Sequence, residues 1–365
     1  MHALLAGKPR SASVDRIMQT HSSRSPLPPS AVLHPASTYV LENVRTFATN
    51  MQGNRYTVYD RLPRLIAPHL EGALDSKLAL CYSLASSPDY PVHLLLMGEP
   101  ATVKTELIEE AKRIVPGAFY AGPRSTVSGL TANLEDGSLG LLARADGGLA
   151  LLDELDKLPA QATKCLYEAM EYGRITVNSR RMARELESRF VCMATANPKG
   201  DILANTVRGT RKQLLDSIPA ALLSRFHLVF VLRQPKGKQL EKTVSRILIR
   251  TGRENQNLPF LRSYFRAIKD LCPSVRCELD PERSSVKTAQ KFLASKIAAS
   301  TSGRLSVPLS VRAAEGLRRL CVSSARMRLS PQVEDLDVQN ALSIMKASLA
   351  TWSGHWNPSG RSASA

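Results

Sequence analysis

Two short segments about fifty residues apart constrain the fold of this chain more than any other feature. In the first, an apolar run at 92–97 predicts a buried strand, and residues 105–114 have the apolar spacing of a helix. The loop between them consists of Gly98, Glu99, Pro100, Ala101, Thr102, Val103 and Lys104. A strand, a tight loop and a helix N-terminus form a phosphate cradle, because free backbone N–H groups and the helix dipole face the anion.

The second segment is a predicted strand at 149–153 that ends in Asp153 and is followed by Glu154. Lys104 would contact the outer phosphates of a nucleotide and Thr105 would hold Mg²⁺, while two adjacent carboxylates suit the metal and an attacking water. The loop departs from G-x-x-x-x-G-K-[ST] at Val103, where a β-branched residue resists positive φ. An ordinary strand–helix turn is the alternative, and the carboxylate pair argues against it. The combination indicates nucleotide hydrolysis.

Composition indicates a folded protein with an anionic partner. A length of 365 residues allows two domains, and a hydrophobic content of 43% is that of a folded protein. No apolar run approaches the ~20 residues that span a bilayer. The net charge of +17 favours nucleic acid as partner. Six scattered cysteines without metal-ligand spacing predict a reducing compartment and no zinc site. The sequence does not identify the compartment, which as an intracellular one would be nuclear in a eukaryote and cytoplasmic in a prokaryote.

The chain divides into four parts. Residues 1–55, rich in Ser and Pro, look like a poorly structured leader, and residues 351–365 look like a loose tail. Residues 56–235 alternate strands with helices, which predicts a three-layer α/β fold with a mostly parallel sheet. The strands are expected at 92–97, 149–153, 190–195 and 228–232, and the helices at 105–114, 160–172 and 213–223. Residues 236–350 form a small helical domain, with helices at 239–251, 258–272, 284–299, 308–328 and 335–350.

Three single residues extend the candidate site. Asn197 ends a predicted strand, where its amide could orient the attacking water, although a turn-forming Asn before proline is the alternative. Arg225 lies at a helix end without an obvious carboxylate partner in the sequence, and could reach a neighbouring subunit's γ-phosphate. Arg312 opposes the dipole in the first turn of its helix, which suggests a phosphate contact. For both arginines a solvated side chain is the alternative.

Residues 172–189 are typical of a β-hairpin with a basic tip, because 174–177 alternates and Asn178-Ser179 is a turn signal. Its arginines would suit a nucleic-acid backbone. A solvated charge cluster is the alternative. The candidate DNA-binding residues are Arg174, Arg180, Arg181 and Arg184.

From about Tyr59 to Ala350, the motifs resemble the ATPase core of the MCM replicative helicases, in the AAA+ superfamily. In consistent order, they are similar to that family's Walker A (98–105), Walker B (151–158), sensor 1 (194–198), arginine finger (222–226) and sensor-2 helix (311–329). The resemblance implies a P-loop core with a helical lid, ATP and Mg²⁺ as cofactors, DNA as partner, and a ring, usually a hexamer, of identical or different subunits. It implies that Arg225 and Arg312 act across the subunit interface, and that the other site residues act within one subunit.

The chain also departs from the family. Ala101 and Val103 replace smaller or more usual residues, His227 stands where Asp is usual, and the helix-2 insert at 133–139 is short. The chain has too few residues and no Cys₄ set for the family's N-terminal zinc-bearing domain. Two other function classes therefore stay open. One is an AAA+ remodeller of a protein client, and the other is a non-hydrolysing partner subunit of a helicase ring.

Overall fold

Strands and helices alternate along the first part of the chain, and the strands form the sheet that carries the candidate site. The computed structural model describes residues 38–49, 57–70, 72–98, 103–122, 125–132, 138–178, 183–199, 213, 215–233, 237–249, 255–305 and 308–352. Within these residues the strands are β1 (Leu94–Gly98), β2 (Phe119–Ala121), β3 (Leu149–Leu152), β4 (Arg174–Asn178), β5 (Ala183–Glu187), β6 (Val191–Ala196) and β7 (Leu228–Leu232). Five of them form one sheet in the order β2-β3-β6-β1-β7, with every neighbouring pair parallel.

Helices flank the sheet and then continue beyond it. Up to β7 they are α1 (Thr38–Thr49), α2 (Val58–Leu65), α3 (Leu74–Ala85), α4 (Lys104–Ile114), α5 (Val127–Leu130), α6 (Leu141–Arg144), α7 (Ala160–Tyr172) and α8 (Ala220–Leu223), with a 3₁₀ turn at Leu155–Lys157. After β7 come α9 (Lys238–Leu248), α10 (Leu258–Leu271), α11 (Ser284–Thr301), α12 (Arg312–Met327) and α13 (Asp335–Ala350). The predicted α/β core with a helical lid is confirmed. In the described part of the chain, no helix is both long and apolar enough to cross a membrane.

Each strand of the sheet divides its side chains between two hydrophobic cores. Successive strand residues point to opposite faces. Leu149 and Leu151 of β3 and Met193 of β6 therefore pack on one face, in the core that includes α3, α4 and the lid helices. Leu152 and Ala194 pack on the other face, in the core that includes α7 and α8. This alternation decides which side of the sheet receives the polar residues that follow each strand.

Helix α1 lies inside the stretch 1–55 that the sequence predicts to be a poorly structured leader. Val44 and Phe47 are buried on one face of this helix. The Phe47 ring packs edge-on against Phe260 and Tyr264 of α10, with centroid separations of 5.0 and 5.6 Å. The expectation is therefore wrong for α1, because the apolar stripe of this helix is completed by lid residues more than two hundred positions away in the sequence.

The observed elements match most predictions, and two differences have local causes. Three predicted elements match β7, α7 and α13 to the residue, namely 228–232, 160–172 and 335–350. The sequence does not predict β2, because three residues carry too little alternation to be recognised. The predicted helix 213–223 is interrupted at Ile218 and Pro219. Proline lacks an N–H and disfavours helical backbone in the residue before it.

The end of α13 packs along the outer edge of the sheet. β7 is an edge strand, and its backbone bonds to Ser348 of the lid and to Thr351 and Trp352. The last two lie in the stretch predicted to be a loose tail, but both are buried. Val229 N–H donates to Ser348 Oγ at 3.0 Å, and Ser348 Oγ donates to the Val229 carbonyl at 2.8 Å. Val231 N–H donates to Thr351 Oγ1 at 3.1 Å, and Trp352 Nε1 donates to the Val229 carbonyl at 2.8 Å. The lid is thus joined to the core by hydrogen bonds as well as by apolar packing.

Candidate active site

The connection from β1 to α4 places a buried lysine at the carboxyl end of the sheet. β1 ends at Gly98 and α4 begins at Lys104, whose side chain is 4% exposed and whose Nζ donates to the Gly98 carbonyl at 2.6 Å. Val103 precedes the helix with φ −65°, so this β-branched residue does not enter the left-handed region that the loop pattern raised as a concern. Thr105, in the first turn, is exposed. Residues 99–102 of the predicted loop lie outside the described residues.

Asp153 immediately follows β3, and hydroxyl groups from two neighbouring strands hold its carboxylate. Thr195 Oγ1 of β6 donates to Asp153 Oδ1 at 2.5 Å, and the Tyr120 hydroxyl of β2 donates to Asp153 Oδ2 at 3.2 Å. Asp153 and Thr195 continue the alternation of Leu151 and Met193, so they belong to the sheet face that α4 covers. A carboxylate and the Thr105 hydroxyl at one sheet edge are oxygen donors of the kind that Mg²⁺ prefers, and these residues fit that ion.

Glu154 turns the chain away from the strand. Its backbone has φ +56° and ψ +53°, a left-handed conformation that is unfavourable for a residue with a side chain. Its N–H donates to Thr195 Oγ1 at 2.9 Å. Its Oε1 accepts from Lys157 Nζ at 2.8 Å and lies 3.5 Å from Asn197 Nδ2. The hydrogen bond with Glu154 raises the pKa of Lys157, which keeps this ammonium charged.

Asn197 follows β6 and completes the group of polar residues at this edge. Its backbone N–H donates to Asp156 Oδ1 at 2.8 Å, which holds the end of β6 against the turn after β3. The structure therefore brings together Asp153, Glu154 and Asn197, which the sequence assigns to one candidate site.

Tyr120 and Thr195 are functional candidates that the sequence motifs do not reveal. Burial, reinforced by the Asp153 carboxylate, raises the pKa of Tyr120 to about 12, so its hydroxyl keeps the proton that it donates. Lys112 Nζ lies 4.6 Å from the centroid of the Tyr120 ring. The sequence does contain a signal for Thr195, because it is the single polar residue of the predicted strand 190–195 and lies at the end of that strand.

Arg225 has a carboxylate partner in its own subunit, contrary to the expectation from sequence. Its guanidinium forms an ion pair with Glu171 of α7, and its Nη2 donates to the Tyr167 hydroxyl at 2.9 Å. The Arg225 side chain is 7% exposed and the Glu171 side chain 21%. Among the described residues, the buried Arg225 Nε has no hydrogen-bond partner. The partner escapes sequence reasoning because α7 and α8 meet only in the folded chain.

Arg312, the first residue of α12, contacts the same carboxylate. Its Nη2 lies 3.2 Å from Glu171 Oε1, and its side chain is about half exposed. Glu171 thus joins two arginines, one from the core and one from the lid. All three residues line a cavity of about 250 Å³ between the end of α7, the segment after α8 and the start of α12. The charge of Arg312 at a helix N-terminus is therefore balanced within the chain.

His227, which departs from the resembled family, is half-buried and pairs with the buried His93. Its Nδ1 accepts from the His93 backbone N–H at 2.9 Å, and His93 Nδ1 accepts from the Cys192 N–H at 3.0 Å. The two rings stack with centroids 5.2 Å apart. Burial lowers the pKa of His227 to about 3, so the ring is neutral and accepts through Nδ1. This pair fixes the residues after Arg225 against β1 and β6.

The predicted hairpin is present as the antiparallel pair β4–β5, in the register Arg174↔Glu187 to Asn178↔Ala183. Arg174 is half exposed and its Nε lies 3.1 Å from Glu185 Oε1, so an acidic neighbour on the same hairpin offsets its charge. Arg184 lies on β5, opposite Val177. Arg180 and Arg181, the predicted tip residues, lie outside the described residues.

Comparison with known proteins shows similarity, along most of the chain, to the family that the sequence motifs resemble. A family model described as the MCM P-loop domain matches residues 46–251, and one described as the MCM AAA-lid domain matches residues 260–349. The chain is 27% identical to the minichromosome maintenance protein MCM of Saccharolobus solfataricus, over 79% of this chain and 44% of that protein. It is 29% identical to the DNA replication licensing factor MCM4 of Drosophila melanogaster, over 80% of this chain and 36% of that protein. The chain therefore spans about two fifths of these relatives.

Proposed function

The chain belongs to the MCM family, and on that premise we propose that it is an ATP-dependent motor that acts on DNA as part of a ring. The observation that carries the proposal is the meeting of Asp153, Glu154 and Asn197 at the sheet edge where α4 begins with the buried Lys104. The net charge of +17 supports a nucleic-acid partner. The ring would contain copies of this chain or related subunits.

Each residue of the group has a part in the proposed ATP hydrolysis. Lys104 would bind the outer phosphates, and Thr105 and Asp153 would hold Mg²⁺ through their oxygen atoms. When bound, Mg²⁺ supplies positive charge that stabilises the oxygens of the transferred phosphoryl group. Glu154 would polarise the attacking water, and Asn197 would orient that water or contact the γ-phosphate. Lys157 holds the Glu154 carboxylate in place from the adjacent turn.

Arg225 and Arg312 would act on the nucleotide of a neighbouring subunit. Their shared partner Glu171 supports this part of the proposal, because it holds both guanidinium groups beside one cavity. To reach a phosphate, Arg225 would exchange the Glu171 carboxylate for the anion. A positive charge brought to the γ-phosphate stabilises the charge that develops in the transition state.

The DNA contact would be made by the β4–β5 hairpin. Because Glu185 already pairs with Arg174, the contact would depend mainly on Arg180, Arg181 and Arg184. Binding through backbone phosphates weakens steeply as salt concentration rises. If ATP hydrolysis moves this hairpin, the bound DNA strand would move with it.

Steady-state ATPase activity of the purified protein, with and without single-stranded DNA, tests the proposal. We expect DNA to stimulate turnover and Glu154→Gln to abolish it. Turnover that ignores DNA would refute the DNA motor and favour a remodeller of a protein client. Turnover no higher than that of Glu154→Gln under both conditions would refute a self-sufficient motor and favour a non-hydrolysing ring subunit.

A further inference from the structure

We propose that Thr195 is a positioning residue, whose single buried hydroxyl fixes both carboxylate residues of the candidate site. Its oxygen lies 2.5 Å from Asp153 Oδ1 and 2.9 Å from the Glu154 backbone nitrogen. Thr195 is 1% exposed, so its own hydroxyl is shielded from solvent. The role rests on the proposed function, because it concerns the same ATPase site.

The chemistry of the three groups determines the direction of both hydrogen bonds. The Glu154 N–H can only donate, so the hydroxyl oxygen of Thr195 accepts from it. The one hydroxyl proton is therefore directed to Asp153 Oδ1, which as a carboxylate can only accept. A bond to an ionised acceptor is shorter and stronger than one between neutral groups. Thr195 consequently links two adjacent residues of one strand end to the neighbouring strand.

For Asp153, the consequence is a fixed carboxylate plane. Thr195 holds Oδ1 from β6, and Tyr120 holds Oδ2 from β2. Each carboxylate oxygen keeps a further lone pair, so both hydroxyl bonds are compatible with a metal ligand. Residues that orient a metal ligand in this way affect metal affinity although they do not touch the ion.

For Glu154, the consequence is a supported turn. The left-handed backbone at φ +56° is unfavourable for this residue. Thr195 stabilises the turn because its hydroxyl oxygen accepts a hydrogen bond from the Glu154 N–H, which lies past the end of β3. Asn197, two residues after Thr195, lies against the Glu154 carboxylate at 3.5 Å. At the end of β6, Thr195 therefore holds the backbone of Glu154, and Asn197 contacts the Glu154 side chain.

The hydroxyl, and not the shape of the side chain, is the feature that matters. Thr195→Val has the same shape but leaves the Glu154 N–H without its acceptor and Asp153 Oδ1 without its donor, next to a side chain that is itself buried. Thr195→Ser keeps the hydroxyl and loses one methyl group. Thr131→Val is a matched control, since Thr131 is also a buried threonine and donates its hydroxyl to the Val127 carbonyl, away from the carboxylate pair.

The test is binding of a fluorescent ATP analogue, titrated with Mg²⁺, in each variant of the full chain. We expect Thr195→Val to raise the Mg²⁺ concentration at half-maximal binding by about tenfold or more. Thr195→Ser and Thr131→Val should stay close to wild type. Binding of the analogue without Mg²⁺ should be equal in all four proteins, a result that a general loss of structure would not give.

Two results would overturn the role of Thr195 while leaving the proposed function standing. One is a Thr195→Val midpoint equal to that of wild type, and the other is a Thr195→Ser midpoint raised as much as that of Thr195→Val. If Thr195→Val does not fold, Thr195→Cys replaces it. A thiol is a weak donor and acceptor, so an intermediate midpoint is expected and a wild-type midpoint would refute the role. Failure of the wild-type protein itself to bind the analogue at any Mg²⁺ concentration would instead refute the proposed function, and this role with it.

Discussion

The ion pair between Glu171 and Arg225 leads to a sharp prediction about stability. Arg225 is almost fully buried, with Glu171 and the Tyr167 hydroxyl as the partners of its guanidinium. Glu171→Gln would keep the shape of the side chain and remove its charge. The buried guanidinium would then lack the carboxylate that compensates it.

The magnitude follows from the burial of each partner. Removing one member of a buried ion pair costs about 3–5 kcal/mol, because the other charge stays buried without compensation. Glu171 is one-fifth exposed and glutamine still offers an acceptor, so we expect the lower end, about 3 kcal/mol of unfolding free energy. Arg312 binds the same carboxylate but is half exposed, and pairs of that kind contribute about 0–1 kcal/mol.

Urea unfolding at neutral pH measures these differences. Arg225→Gln with Glu171→Gln completes a double-mutant cycle, in which we expect a coupling energy of about 2 kcal/mol. Arg312→Gln is the matched control and should cost less than about 1 kcal/mol. The reasoning is refuted if Glu171→Gln stays within about 1 kcal/mol of wild type, or if Arg312→Gln costs as much as Arg225→Gln.

Two further predictions concern His227 and Gly140. The pKa of about 3 for His227 lies below the ~6.5 of an unfolded chain, so the unfolded state binds the proton first and stability falls as pH drops below about 6.5. The comparison variant is His227→Asn, which keeps an acceptor for the His93 N–H. Between pH 7 and pH 5, the unfolding free energy of wild type, measured with urea, should fall by about 2 kcal/mol more than that of His227→Asn. Parallel pH profiles of the two proteins would contradict this. In Gly140→Ala the new methyl carbon would lie 2.5 Å from the Leu130 carbonyl carbon, so unfolding free energy should fall by about 2 kcal/mol. Gly117→Ala meets nothing within 4 Å and serves as control, and equal losses in the two variants would refute the steric argument.

The parts of the molecule that the sequence predicts are those specified by local pattern. β7 is a continuous apolar run of strand length, and α13 has apolar residues at the spacing of a helix. Asp153, Glu154 and Asn197 could be placed together because each follows a strand of a parallel sheet, and such strand ends share one edge. The sequence pattern therefore predicts the layered fold and the part of the candidate site that contains Asp153, Glu154 and Asn197.

The parts that escape prediction depend on contacts between distant segments. Glu171 looks like an ordinary helix residue until α7, α8 and α12 pack together and bring Arg225 and Arg312 to it. Tyr120 lies in a strand too short to recognise, and its hydroxyl matters only because β2 pairs with β3. Thr195 depends on the register that sets β3 beside β6. Sequence pattern assigns the elements, whereas these contacts arise from the way that the elements meet.

The hydrogen bonds that the end of α13 and the two residues after it make to β7 also guard this edge against pairing with a strand of another chain. An unpaired edge strand offers a row of N–H and C=O groups on which another chain can add a strand. Ser348, Thr351 and Trp352 occupy such groups on β7 and cover that edge. A chain shortened before Ser348 would uncover them, and intermolecular strand addition would compete with correct folding. The last turn of the lid thus sets a practical limit on where this chain can be truncated without promoting aggregation.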